Sequence, residues 1–161
     1  MRIDFHGKLV DESQIRAGFI GCGSHSFRNI YPTFQFAPVK LAATCDLIPG
    51  KAEAFADQFG AKRAYTDHRE MLADGDLDAV FIVTGYDERG RPRYPDLARD
   101  CLDAGMHVWI EKPPAATTGE LEALQRTAAA ADRKVMVGLK KMFFPANEMA
   151  KALISSEEIG R

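Results

Sequence analysis

The sequence predicts an α/β protein, a doubly wound parallel sheet with helices on both faces. Three observations lead there. Short apolar runs at residues 15–20, 39–45, 79–84, 106–110 and 135–137 alternate with stretches whose apolar residues recur at three- and four-residue spacing. That alternation is the pattern of parallel strands joined by right-handed helical crossovers. The first run ends in two close glycines, Gly21 and Gly23, ahead of a helical pattern. Finally, Gly21, Asp46, Thr84, Glu111-Lys112 and Lys140 all fall at or just past predicted strand ends, the edge at which such sheets bind ligands.

Residues 1–14 are polar and mixed and read as an N-terminal extension. Within them Ile3, Phe5, Leu9 and Val10 are placed to form a short hairpin around His6-Gly7. The run 15–20 is the first buried strand. The helix after it carries Phe27, Ile30, Tyr31 and Phe34 on one face, and Pro32 inside that pattern predicts a kink or a break. The run 39–45 is the second strand. A helix over 51–59 follows, with Ala52, Phe55, Ala56 and Phe59 inward and Gly60 as its C-cap. Residues 63–65 are a short third strand, and Asp67 caps a small helix holding Met71 and Leu72.

The run 79–84 is apolar throughout, as a parallel strand buried on both faces must be. A charged loop follows over 85–95, and a helix starts near Pro95 and ends at Gly105. Residues 106–110 are the next strand, and Glu111-Lys112-Pro113-Pro114 is expected to be extended by its prolines. Thr117 or Thr118 opens a long Ala/Leu helix to about Asp132, residues 135–137 form a further strand, and 145–154 a last amphipathic helix.

The glycine turn carries chemistry. A strand turning sharply into a helix presents unpaired backbone N–H groups and the positive end of a dipole, a site for an anion such as a pyrophosphate. Gly21 allows the tight turn, Gly23 lets phosphates approach the backbone, and Ser26 stands at a third position that must be small. Asp46 closes the second strand twenty residues after Ser26, the reach expected of an acid that binds the adenosine ribose. A carboxylate there accepts hydrogen bonds from both ribose hydroxyls and repels a 2′-phosphate. The stretch Leu47-Ile48-Pro49-Gly50 offers no Arg to hold such a phosphate, although Lys51 is near. NAD is therefore expected over NADP. The alternative for Asp46 is a turn former or helix N-cap before Pro49-Gly50.

Glu111-Lys112-Pro113 is the second constellation. A lysine directly after a buried strand, at the cofactor edge, can hydrogen-bond a substrate hydroxyl or carbonyl and exchange a proton with it. A merely solvated surface lysine is the alternative.

Composition bounds the rest. The chain has 161 residues, a net charge of −2, 46% hydrophobic and 27% charged residues, which fits one globular domain and gives no case for nucleic acid or an anionic membrane surface. Cys22, Cys45 and Cys101 form no metal spacing and no disulfide framework; reduced thiols and a cytoplasmic protein without a metal site are expected. No run approaches the roughly 18 apolar residues of a membrane span.

The segments Gly18-Phe19-Ile20-Gly21-Cys22-Gly23, Cys45-Asp46, Tyr65-Thr66-Asp67 with Met71-Leu72, Ala104-Gly105-Met106-His107-Val108, Glu111-Lys112-Pro113, Val137-Gly138 and Ile159-Gly160-Arg161 together resemble the N-terminal half of the glucose–fructose oxidoreductase, inositol dehydrogenase and rhizopine-catabolism oxidoreductase family. The resemblance covers about residues 15–161. It implies a Rossmann dinucleotide-binding domain over those residues, with NAD(P) bound and Lys112 near the nicotinamide and the substrate, as the catalytic residue. It further implies Gly21, Gly23, Ser24, His25 and Ser26 at the pyrophosphate, Asp46 at the ribose, Thr84, Gly85 and Tyr86 at the nicotinamide half, Glu111 orienting Lys112 or touching the nicotinamide ribose, and Lys140 and Tyr94 towards a small-molecule substrate. The activities implied are oxidation or reduction of sugars, cyclitols and related alcohols.

The chain departs from that pattern at Ser26, in a longer loop after Thr84 bearing Arg89, Arg91 and Arg93, and in stopping where a second α/β domain would begin. That domain would supply a histidine, much of the substrate pocket and the interface of an oligomer. Little turnover is expected from the chain alone. Of the histidines, His107 is expected in the core, His6 and His68 at the surface, and His25 against the cofactor. A non-catalytic nucleotide-sensing module of the same fold, as in yeast galactose repressors, is the alternative function.

Overall fold

A computed structural model describes residues 2–3, 9–10 and 14–156. Arg2–Ile3 (β1) pairs antiparallel with Leu9–Val10 (β2), apart from the main sheet; the expected turn at His6-Gly7 and the closing Ile159-Gly160-Arg161 lie outside the described residues.

Six strands make the main sheet: Ile15–Ile20 (β3), Val39–Cys45 (β4), Arg63–Tyr65 (β5), Ala79–Ile82 (β6), His107–Ile110 (β7) and Val135–Val137 (β8). All pairs are parallel, and the spatial order is β5-β4-β3-β6-β7-β8. The order reverses between β3 and β6, so a crevice opens beyond the carboxyl ends of those two strands.

The helices are Pro49–Phe59 (α1), His68–Ala73 (α2), Tyr94–Asp103 (α3), Thr118–Ala130 (α4) and Pro145–Ser155 (α5). Strand alternation sorts the apolar side chains onto two faces. Ile20, Val80, Ile82, Val108 and Ile110 face Met71 of α2, Cys101 and Leu102 of α3 and Leu124 of α4. Phe19, Leu41, Phe81 and Trp109 face Tyr31, Phe34 and the α1 residues Phe55 and Phe59. Phe19 stacks on Tyr31 at 4.3 Å between ring centroids, and Tyr31 on Phe59 at 4.3 Å. Full burial of a ring such as Phe19 stabilises by about 2–3 kcal/mol.

Several expectations are corrected. The segment after β3 is not one helix: a π-helical turn over Ser26–Ile30 runs into a 3-10 helix over Tyr31–Phe36, because Pro32 has no N–H for the α ladder. Helix α1 begins at Pro49, two residues early, since proline suits a first turn. As expected, and for the same reason, α3 begins at Tyr94, just before Pro95. Strand β6 stops at Ile82, which leaves Val83 and Thr84 in the crevice loop. Ile15 and Arg16 are exposed; only the last four residues of β3 are buried. The Lys112–Pro113 peptide is cis. Helix α4 is capped as expected, by Thr117 accepting the Glu120 N–H, while the Glu120 carboxylate accepts the N–H of Ala116. No residue of α5 is buried.

His107 and His68 both depart from their expected settings. His107 is exposed at the first residue of β7, its Nδ1 accepting the Lys134 N–H at 3.1 Å, because that residue sits at the sheet's amino edge. His68 is largely buried, with Nε2 2.8 Å from Asp100 Oδ2.

Candidate functional site

The crevice is a groove of about 760 Å³ whose lining includes Gly21, Gly23, Asp46, Ile48, Thr84 and Tyr86. It is built from the ends of β3, β4 and β6. Gly21 has φ +99°, and a Cβ on it would lie 2.1 Å from the carbonyl oxygen of Val83. Only glycine fits that interlock between the β3 turn and the end of β6. Gly23 is the opposite case: nothing lies within 4 Å of where its Cβ would be. That space opens at the turn, where a side chain would exclude a bound group.

Ser26 is fully buried, and its hydroxyl donates to the Gly21 carbonyl at 2.6 Å. The third small residue is thus a brace: a serine is accommodated because its one polar atom is spent within the turn. Beneath the turn Cys22 is buried and its thiol is pushed up to about 12 by desolvation, then by the Asp46 charge.

Asp46 sits at the end of β4 with both oxygens held by backbone. Oδ2 accepts the Cys22 N–H at 2.8 Å and Oδ1 accepts the Ile48 N–H at 2.9 Å. The second bond is the turn-forming role, so Asp46 forms the turn before Pro49 and also lines the groove. Each oxygen keeps a further acceptor site.

On the β6 side, Thr84 Oγ1 is buried without a hydrogen-bond partner. Tyr94 lies behind the wall, buried, with its hydroxyl donating to the Thr84 carbonyl at 2.9 Å and pushed up to about 12 by desolvation, with the Glu111 charge second. The long loop is ordered: Tyr86 bridges to Pro92, the Asp87 carboxylate accepts the N–H groups of Arg89 and Arg91, and Arg91 reaches Glu120 at 3.4 Å. Arg93 Nε donates to the Tyr86 carbonyl at 3.5 Å and Arg93 lines the groove.

Glu111 and Lys112 follow β7. The Glu111 residue is only 6% exposed, while the Lys112 side chain is 62% exposed. Glu111 Oε2 accepts the Lys112 N–H at 3.1 Å and lies 3.9 Å from Nζ. Lys112 is therefore open to a ligand on one side and faces a carboxylate on the other. Lys140 is exposed at the start of a 3-10 turn over Lys140–Phe143, outside the groove lining.

Sequence reasoning did not find the partner of Glu111. His25 Nε2 lies 3.0 Å from Glu111 Oε1, across 86 residues of chain. It also missed the groove-lining residues Thr66, His68 and Arg69. The same strand-end rule was the available signal, since Thr66 is the first residue past β5.

These residues fit a dinucleotide: an open cradle at Gly23, an orphaned hydroxyl at Thr84 and a fixed acid at Asp46. Among the described residues no cluster of three or more His, Cys, Asp or Glu side chains is arranged to hold a metal ion, and no helix is long and apolar enough to cross a membrane.

Comparison with known proteins decides the family. The sequence model of the "Oxidoreductase family, NAD-binding Rossmann fold" matches residues 15–139. The chain belongs to that family. This oxidoreductase domain is 30% identical to a D-xylose 1-dehydrogenase (NADP(+)) of Haloferax volcanii over 87% of the chain and 42% of that protein. It is 29% identical to inositol 2-dehydrogenase of Salmonella typhimurium over 91% of the chain and 43% of that protein. The solved scyllo-inositol dehydrogenase of Lactobacillus casei with bound NAD(H) and scyllo-inositol superposes with a TM-score of 0.76 at 27% identity, over 91% of the chain and 42% of that structure. The oxidoreductase domain thus spans less than half the length of these relatives.

Proposed function

We propose that this domain is the NAD-binding half of a dehydrogenase acting on a sugar, cyclitol or related alcohol. The single observation that carries the reading is the Asp46 carboxylate, fixed by two backbone N–H groups at the wall of a groove that the Gly23 turn leaves open.

In this reading Gly21, Gly23, Ser24 and the His25 backbone line the pyrophosphate, with Ser26 bracing the turn from below. Asp46 receives the two ribose hydroxyls. Its fixed negative charge disfavours a 2′-phosphate, so NAD is preferred over NADP, although the Haloferax relative is named for NADP(+). Thr84, Gly85 and Tyr86 border the nicotinamide half, where the Thr84 hydroxyl finds its partner. The nicotinamide, when bound, supplies the hydride acceptor or donor. Lys112 hydrogen-bonds the substrate oxygen and exchanges a proton with it, held by Glu111. Tyr94 supports the Thr84 wall, and Lys140 is the more distant group towards the substrate. The chain spans less than half the length of these relatives, and residues 1–161 alone are expected to bind NAD weakly and to turn over almost nothing. The whole protein is expected to be cytoplasmic and oligomeric.

Calorimetric titration of the chain with NAD and with NADP tests the reading. Binding of NAD with weaker or no binding of NADP is expected. No heat from either dinucleotide, or tighter binding of NADP, would overturn it.

A further inference from the structure

We infer that His25 is a positioning residue: it holds one oxygen of Glu111 so that the other addresses Lys112, tying the glycine turn to the lysine turn. The inference rests on the reading of Lys112 given above.

The hydrogen bonds run in one direction. Asn29 Nδ2 lies 3.0 Å from His25 Nδ1, so the amide N–H donates and Nδ1 accepts. The ring proton is then on Nε2, which donates to Glu111 Oε1 at 3.0 Å. The other oxygen, Oε2, accepts the Lys112 N–H and stands 3.9 Å from Nζ. Each carboxylate oxygen has its own task. Glu111 is buried, so an oxygen without a donor there is costly, and His25 supplies that donor.

Packing confines the carboxylate as well. A Cβ on Gly138 would lie 3.3 Å from Glu111 Oε1 and 2.6 Å from the Trp109 ring. Glu111 thus lies between the β8 end and the imidazole, and we take its remaining motion to be a swing towards Lys112. Removing the His25 donor releases that swing. Oε1 then turns to the nearest remaining cation, the Lys112 ammonium, and ties it back from the substrate side. Because His25 lies on the turn that Gly21 and Gly23 form, the position of Lys112 becomes linked to the order of the cofactor loop. A side chain joining two turns 86 residues apart in sequence is a feature of the fold, not of either motif.

The test uses the chain itself with two variants, His25→Met, which removes the donor at similar volume, and His25→Gln, whose amide keeps an N–H at the reach of Nε2. Ring-nitrogen NMR of the unliganded wild type should show His25 in the Nε2–H tautomer; an Nδ1–H tautomer overturns the proposal. Acylation of Lys112, followed by mass spectrometry without cofactor, should slow about threefold in His25→Met as its ammonium is drawn into a tighter pair, and return to the wild-type rate in His25→Gln. Equal rates in the two variants overturn the positioning role. NAD titration is read separately. If the wild type binds no dinucleotide, the cofactor reading fails while the labelling contrast still decides whether His25 controls Lys112.

Discussion

Asp46 Oδ2 accepts the backbone N–H of Cys22 at 2.8 Å, so the acid at the end of one strand is bonded to the glycine turn at the end of the next. In the proposed reading, the ribose and pyrophosphate contacts therefore sit on one hydrogen-bonded unit. Replacing Asp46 with Ala removes acceptors from two backbone donors at once. We expect a loss of about 1.5–3 kcal/mol in NAD affinity, read by calorimetry, and a ratio of NADP to NAD affinity that rises. A ratio that stays put would count against the role given to the carboxylate.

The two glycines of the turn should fail in different ways. Gly21→Ala meets the Val83 carbonyl and a positive φ, so a fold-level loss of about 3 kcal/mol or more is expected in urea unfolding. Gly23→Ala points into open space and should change stability by under about 1 kcal/mol while cutting NAD affinity at least tenfold. Unchanged NAD affinity in Gly23→Ala would show that the Gly23 space is not a binding cradle.

Acid stability has a local contributor at the opposite edge of the sheet. Asp78 accepts hydrogen bonds from the Arg16 guanidinium and backbone, which hold its carboxyl below the usual range, side-chain hydrogen bond first. A depressed folded-state value means the stabilisation is present at neutral pH, where both states are ionised, and is lost as pH falls from about 4. Solvent reaches both side chains, so the gain is under about 1 kcal/mol. Asp78→Asn should therefore lie slightly below wild type at pH 7, with the gap closing as pH falls below about 4, followed through the single Trp109.

Alkaline stability moves the other way. Cys22, Cys45 and Cys101 are buried free thiols pushed up to about 12, desolvation being the first cause for each. A raised folded-state value makes the stabilisation complete below the unfolded value, about 8.5, and lost as pH rises towards 12. We expect no fast-reacting thiol in the native chain at pH 8 with an aromatic disulfide reagent, and three after unfolding. A rapid native reaction would show that burial does not control these groups.

How far the sequence carries can be judged from particular residues. The parallel sheet is legible because apolar runs at strand length alternate with helical spacing, and the place of Asp46 at the groove wall is legible because one helical segment and one strand separate it from the turn. The break at Pro32 follows from the missing N–H, but the packing that accompanies its division into a π turn and a 3-10 helix, Tyr31 stacked on Phe19 and Phe34 tilted against Phe81, is stated by no local pattern. His68 and His107 were misplaced because their surroundings are set by neighbours far along the chain, Asp100 and Lys134. His25 stands out in the sequence for its place in the turn, yet its partner Glu111 emerges only once β3 and β7 flank β6.

Residues 136–154 have a practical corollary. Met136, Met142, Phe143, Phe144, Met149 and Ile154 are all at least half exposed. So many exposed apolar side chains over residues 136–154 invite self-association at high concentration. Binding isotherms on this polypeptide should be collected across a dilution series, so that clustering is not mistaken for weak affinity.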